Sequence, residues 1–252
     1  MDRVIYTALT GLSARARESL VTANNLANAQ VPGFRRDVVA QEGRYLAARA
    51  AADGAWAARA QVGSPSLSTP QQPGKIAATG RELDIALSAR HWLAVQGPIV
   101  GGQVSEAYTR RGDLVVNAAG VLANGDGRVL VSASGAPISV PPGADPVIGR
   151  DGTVSVQGPD GPQILGRLKL VDGSSIKSRD KAGDGLFLPQ EPLPPDPEAR
   201  VESGALESAN LTAAEALVQL VEEQRGFELN ARLIKLATEM DEQGARLMGL
   251  NS

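Results

Sequence analysis

The sequence predicts an α+β chain, with a long helix at each end and an antiparallel β region between them. Three observations predict it. Apolar residues near both termini recur at helical spacing, the period falls to two across the middle, and Gly-, Pro- and Asn-rich turns punctuate that middle.

The first helix is expected from Asp2 to about Asn28. Its apolar residues are Ile5, Leu9, Leu12, Ala16, Ala23 and Leu26, mostly three, four or seven apart, as on one helix stripe. Gly11 costs about 1 kcal/mol against Ala in a helix interior, and it suggests a close approach by another backbone. Pro32-Gly33 ends the helix, because Pro cannot continue it and Gly supplies left-handed geometry. Asn24, Asn25 and Asn28 are poor helix-interior residues. Their place at the end of the stripe suggests amide hydrogen bonds that fix a partner's register, or else a helix C-cap.

Residues 38–62 are rich in Ala and Arg, with Tyr45, Leu46 and Trp56 as large apolar anchors, and read as a second helix or an irregular arm. Gly63 to Gly80 reads as an extended linker or loop. From Arg81 to about Pro189 the stretches 83–87, 114–117, 128–131 and 153–156 alternate or run short and apolar. Asn124-Gly125-Asp126-Gly127, Asp151-Gly152 and Asp160-Gly161 supply the turns between them. Pro189 to Pro197 is a second linker.

The last helix opens at Thr212-Ala213-Ala214-Glu215, a capping box. It carries two adjacent stripes. One is Leu217, Leu220, Phe227, Ala231 and Ile234; the other is Leu229, Leu233, Leu236, Met240 and Leu247. Two stripes call for two partners. One is the first helix, and the other comes from elsewhere, such as a second subunit.

Composition narrows the function classes. A length of 252 residues allows one large domain or two modest ones, and 42% hydrophobic content is globular. A net charge of −3, no basic cluster and 3% aromatics argue against nucleic acid. The absence of cysteine removes disulfide, zinc–thiolate and thiol chemistry. The first residues form no signal-peptide core, and no run reaches the ~20 apolar residues that span a bilayer.

Enzymatic motifs are fragmentary. Ser174-Ser175-Ile176-Lys177 matches Ser-x-x-Lys, but the partner motifs of penicillin-recognising hydrolases are missing. His91 is the only histidine, and no Gly-x-Ser-x-Gly elbow accompanies it, so it reads as a packing residue. The Gly-Asp-Gly at Asp126 and the Asp184-Gly185 pair read as turns, since the calcium-loop spacing is absent. Glu222-Glu223 and Asp241-Glu242 read as a solvated helix face, or as intersubunit partners for Arg225 or Arg232.

One family resemblance runs through the chain. Ala23-Asn24-Asn25-Leu26-Ala27-Asn28 followed by Pro32-Gly33-Phe34 resembles the N-terminal signature of bacterial flagellar basal-body rod and hook proteins. Thr79-Gly80-Arg81-Glu82-Leu83-Asp84 resembles their entry into the β region. Tyr108-Thr109-Arg110-Arg111-Gly112-Asp113, Asn117-Ala118-Ala119-Gly120 and Asp151-Gly152-Thr153-Val154 continue the likeness. Gly204-Ala205-Leu206-Glu207-x-x-Asn210 and Gln224-Arg225-Gly226-Phe227-Glu228-x-Asn230 are similar to the C-terminal signature. The opening from Met1 to Ala8 looks most like the proximal rod members, with distal rod or hook-type members as the alternative. Two positions depart from the family: Ser88-Ala89-Arg90-His91-Trp92-Leu93 replaces a Gly-Asp-Gly-aromatic-aromatic stretch, and Val31 replaces Thr.

The resemblance implies a fold in which the terminal helices pair in a coiled-coil-like layer beside a central antiparallel β domain. The expected segments are 1–37 and 201–252 for the helical layer, 38–78 for an arm and 79–200 for the β domain. The implied role is a structural subunit of the rod, assembling helically through its terminal helices and transmitting torque from motor to hook. Its partners would be other rod proteins, copies of itself and the flagellar type III export apparatus. It would lie in the basal body without membrane insertion, and it implies no catalytic residue, metal or cofactor. Leu9, Leu12, Leu26, Leu217, Leu220, Phe227, Ile234 and Leu236 are expected to pack between subunits. Asn24, Asn25, Asn28, Gln224, Arg225 and Asn230 are expected to set register, and Phe34 to anchor the turn.

Overall fold

The computed structural model describes residues 2–40, 43–47, 58–62, 66–88, 90–158, 161–182 and 185–249. The chain divides into two compact units.

The first unit comprises Met1–Ala27, Asp37–Ser68 and Ala213–Ser252. It contains α1 (Asp2–Ala27) and α2 (Ala213–Gly249). It also contains β1 (Val38–Ala40), β2 (Gly43–Ala47), β3 (Ala58–Val62) and β4 (Ser66–Ser68). β1 pairs β4 and β2 pairs β3, both antiparallel. Residues 38–62, read from sequence as a helix or irregular arm, thus hold three of these strands; residues 41, 42 and 48–57 lie outside the described residues.

The expected coiled-coil-like layer is not what the terminal helices make. A coiled coil buries large apolar side chains at regular seam positions of both helices. Here α2 buries Ala216, Glu223 and Ala237, while Leu220, Gly226, Asn230 and Ile234 are half-buried. On α1, among the residues from Leu9 onward, Ala14, Thr22 and Asn25 are buried, whereas Leu9, Ala16 and Ala23 of the expected stripe are exposed. Small and polar residues therefore line the contact, and short strands share the unit with the helices. Among the described residues nothing of this chain approaches Gly11 closely, since a Cβ there would meet nothing within 4 Å.

The second unit comprises Asn28–Arg36 and Thr69–Thr212. Its strands are β5 (Ile76–Ala78), β6 (Ile85–Leu87), β7 (His91–Val100), β8 (Gln103–Thr109), β9 (Leu114–Val116) and β10 (Leu122–Asn124). They continue as β11 (Pro146–Ile148), β12 (Thr153–Gly158), β13 (Gly161–Arg167), β14 (Leu170–Asp172), β15 (Val201–Ser203) and β16 (Ala205–Glu207). Its sheets run β14-β7-β8, β11-β12-β13, β10-β9, β15-β6 and β16-β5, every ladder antiparallel.

The β14-β7-β8 sheet is covered on both faces. Alternate residues of a strand point to opposite faces, so Leu93, Val95, Ala107 and Leu170 join one apolar cluster with Ile85, Leu114, Leu122 and Leu130. Trp92, Ala94, Tyr108 and Val171 join a second cluster with Val131 and Phe187. Trp92 and Phe187 meet edge to face, with ring centroids 4.6 Å apart.

Candidate assembly surfaces

In the second unit the signature motifs make turns and one buried charge cluster. Thr79 Oγ1 donates to Asp84 Oδ2 at 2.7 Å, which closes the Thr-Gly-x-x-Leu-Asp turn. The backbone N–H of Thr79 and of Gly80 both donate to the Gly204 carbonyl, joining this motif to the C-terminal signature. Asn117 Oδ1 accepts from the N–H of Ala119 and of Val121, each at 3.0 Å, and holds the turn before β10.

The Pro-Gly-Phe turn is held from the C-terminal signature too. Asn210 N–H donates to the Phe34 carbonyl, and Arg36 N–H donates to Asn210 Oδ1 at 2.7 Å. Phe34 is buried, with Lys181 Nζ 4.5 Å above its ring. Next to it, Glu207 receives two guanidinium groups. Arg35 Nη1 donates to Oε1 at 2.6 Å, and Arg110 Nε donates to Oε2 at 2.9 Å. The three side chains are 1–2% exposed. Burial pushes the Arg110 pKa down, while the Glu207 carboxylate holds it up. Arg110 also donates to the carbonyls of Leu87 and Ser88, so one carboxylate fixes the chain entering β7.

The enzymatic fragments have structural roles. Ser174 Oγ donates to the Asp172 carboxylate at the start of a single 3-10 turn. His91 is buried between Ser88 and Asp196, its Nε2 3.0 Å from Asp196 Oδ2. This ties the Pro-rich segment to β7. Among the described residues no group of His, Asp and Glu is arranged to hold a metal.

Tyr108 makes the same kind of tie. Its hydroxyl donates to Glu106 Oε1 at 2.8 Å and accepts from Leu193 N–H at 2.6 Å. Burial raises its pKa. The neutral phenol is therefore favoured in the fold, so its contribution is complete below the unfolded value of about 10 and is lost as pH rises beyond it. A spectrophotometric titration at 295 nm should show Tyr108 ionising late, and Tyr108→Phe should delete that late component.

In the first unit the polar contact between the helices centres on Glu223. Thr22 Oγ1 donates to Glu223 Oε1 at 2.7 Å, and Gln219 Nε2 donates to the same oxygen at 3.0 Å. Gly226 lies beside the Arg15 guanidinium; a Cβ there would stand 3.4 Å from its Cζ, at ordinary contact distance. Asn25 Nδ2 donates to the Asp37 carbonyl at 2.7 Å, and its Oδ1 accepts from Asp37 N–H at 2.9 Å. α2 leaves a broad apolar arc open: Leu217, Val218, Val221, Leu229, Leu233, Leu236 and Met240 are 48–62% exposed.

The comparisons with known proteins agree with the motifs. Residues 5–35 match the family described as "Flagella basal body rod protein". Residues 202–247 match "Flagellar basal body rod FlgEFG protein C-terminal". The chain is 34% identical to the flagellar basal-body rod protein FlgF of Salmonella typhimurium, over all of both chains. The chain belongs to the flagellar basal-body rod protein family. It is 37% identical to Escherichia coli FlgF over 93% of each chain. To Bacillus subtilis FlgG it is 28% identical, over 95% of this chain and 97% of that one. Within the rod family it is most like FlgF.

The expected interface residues of this rod-family chain fall into distinct environments. Leu9, Asn24, Leu217, Gln224, Arg225, Phe227 and Leu236 are exposed. Leu12, Leu26, Asn28, Leu220, Asn230 and Ile234 are half-buried, and Asn25 and Phe34 are buried. Sequence reasoning missed Arg35, Arg110, Glu207 and Asn210 as residues that hold the rod-family signatures together. Arg110, Glu207 and Asn210 each stand inside a signature motif, and that membership was the signal the sequence offered.

Proposed function

We propose that this chain is a structural subunit of the flagellar basal-body rod, of the proximal FlgF kind, and that it joins the rod through its terminal segments. The observation that carries the reading is the open apolar arc of α2. Seven large apolar side chains left exposed along one side of a helix, with charged residues among them, suit a surface that another chain covers, and family membership supplies the assembly. Contacts between unlike patches build an open helix rather than a closed ring, which suits a torque-bearing shaft. Leu217 and Leu236 belong to this arc, Arg225 gives it a polar position, and the exposed Leu9, Gln224 and Phe227 add contacts beside it. Other rod proteins and further copies are the partners. The chain reaches the basal body through the flagellar type III apparatus and occupies the part of the rod that crosses the periplasm.

Deletion of the gene, with electron microscopy of isolated basal bodies, tests this. The expected result is basal bodies lacking the distal rod and hook, restored by the wild-type chain. Complete rods in the deletion strain would refute it.

A further inference from the structure

Between α1, α2 and β1 lies an open cavity of about 260 Å³ whose charge is one-sided. Glu18, Asp37, Glu222 and Glu223 line it against the single guanidinium of Arg15. Glu223 is only 6% exposed, and its Oε2 has no hydrogen-bond partner among the described residues. Thr22 and Gln219 both use the other oxygen, Oε1. A buried carboxylate oxygen without a donor is costly, so this cavity is built for a cation donor the chain does not itself insert.

The same helix carries suitable donors elsewhere. At 3.6 residues per turn, Arg225 and Arg232 fall within the open apolar arc of α2. Both are exposed. An arginine flanked by apolar residues matches a pocket with an acidic floor, because its stem packs while its planar fork pairs with a carboxylate. We propose that Arg225 or Arg232 of a second copy of this chain enters the Glu223 cavity. This rests on the rod-subunit reading and deepens it. The contact is heterologous, arginine face to acidic pocket, and it fixes the register with which copies follow one another. Charge complementarity favours the second copy as occupant, since pocket and arginine lie on one chain.

The chain has no cysteine of its own, so introduced thiols report cleanly. Two differently tagged copies are produced beside the wild-type chain. One carries Glu222→Cys at the pocket, and the other carries Val221→Cys or Glu228→Cys, one turn from Arg225 and from Arg232, so that both arginines remain. Basal bodies are isolated and oxidised. A disulfide-linked species bearing both tags is expected in one pairing and absent when either tagged copy lacks its cysteine. Adding Glu223→Gln to the first copy keeps an acceptor for Thr22 and Gln219 but removes the charge, and it should lower the doubly tagged product several-fold. Both tags present in basal bodies without a doubly tagged species in either pairing would overturn the proposal. A yield indifferent to Glu223→Gln would also overturn it. Absence of the wild-type chain from basal bodies would instead refute the rod-subunit reading, and this inference with it.

Discussion

Glu207→Ala should cost about 3–5 kcal/mol of unfolding free energy, the range for removing one partner of a buried ion pair. Arg35 and Arg110 are each 1% exposed, and both take their charge partner from this carboxylate. Removing it leaves two neighbouring guanidinium charges buried and repelling each other. The Gly74 N–H also loses its acceptor, Glu207 Oε1 at 2.8 Å. Urea denaturation followed through tryptophan emission checks this, since the Trp92 ring lies 5.8 Å from Arg110 Cζ. A loss below about 1 kcal/mol would mean that water reaches the cluster and screens it, as at exposed pairs. Replacing all three residues by apolar ones of similar volume should recover much of the loss, because the cost lies in unpaired charge.

Gly33→Ala should cost about 3 kcal/mol or more. Two physical terms add. Gly33 has φ +68°, where a side chain costs about 1–2 kcal/mol. Its added Cβ would also lie 2.2 Å from the Arg110 carbonyl oxygen, a backbone atom that cannot rotate away. Gly80→Ala separates the terms: φ is +74° there, but a Cβ meets nothing within 4 Å. It should cost only the backbone term, about 1–2 kcal/mol. Equal losses in paired thermal denaturations would show that the close approach to Arg110 does not matter.

Both terminal helices and the β-rich middle were legible from period alone, and the motifs carried the family. What faces what was not. Counting large apolar residues drew two stripes on α2, but the contact with α1 is built on Ala216, Glu223, Gly226 and Ala237, which such a count passes over. β7 escaped for the opposite reason. Residues 91–95 are all buried, because their sheet is covered on both faces, so they show no alternation. The Arg35–Glu207–Arg110 cluster joins residues far apart in sequence, and charged residues read singly look like surface. Asn25 stands in the signature as an amide with unknown partner; Asp37, twelve residues on, holds both its ends.

The central claim is that the open arc of α2 is an assembly surface and not part of the chain's own core. Leu229→Asp, Leu233→Asp and Leu236→Asp together test it most directly, by comparing the melting temperature of the purified full chain with its recovery in basal bodies. The account predicts a melting temperature within a few degrees of wild type, since exposed substitutions shift stability by only about 0.5 kcal/mol each, and no recovery in basal bodies. A variant that unfolds would place these residues in the chain's own core. Normal incorporation into rods would show that the arc is not the surface through which the subunit joins its neighbours.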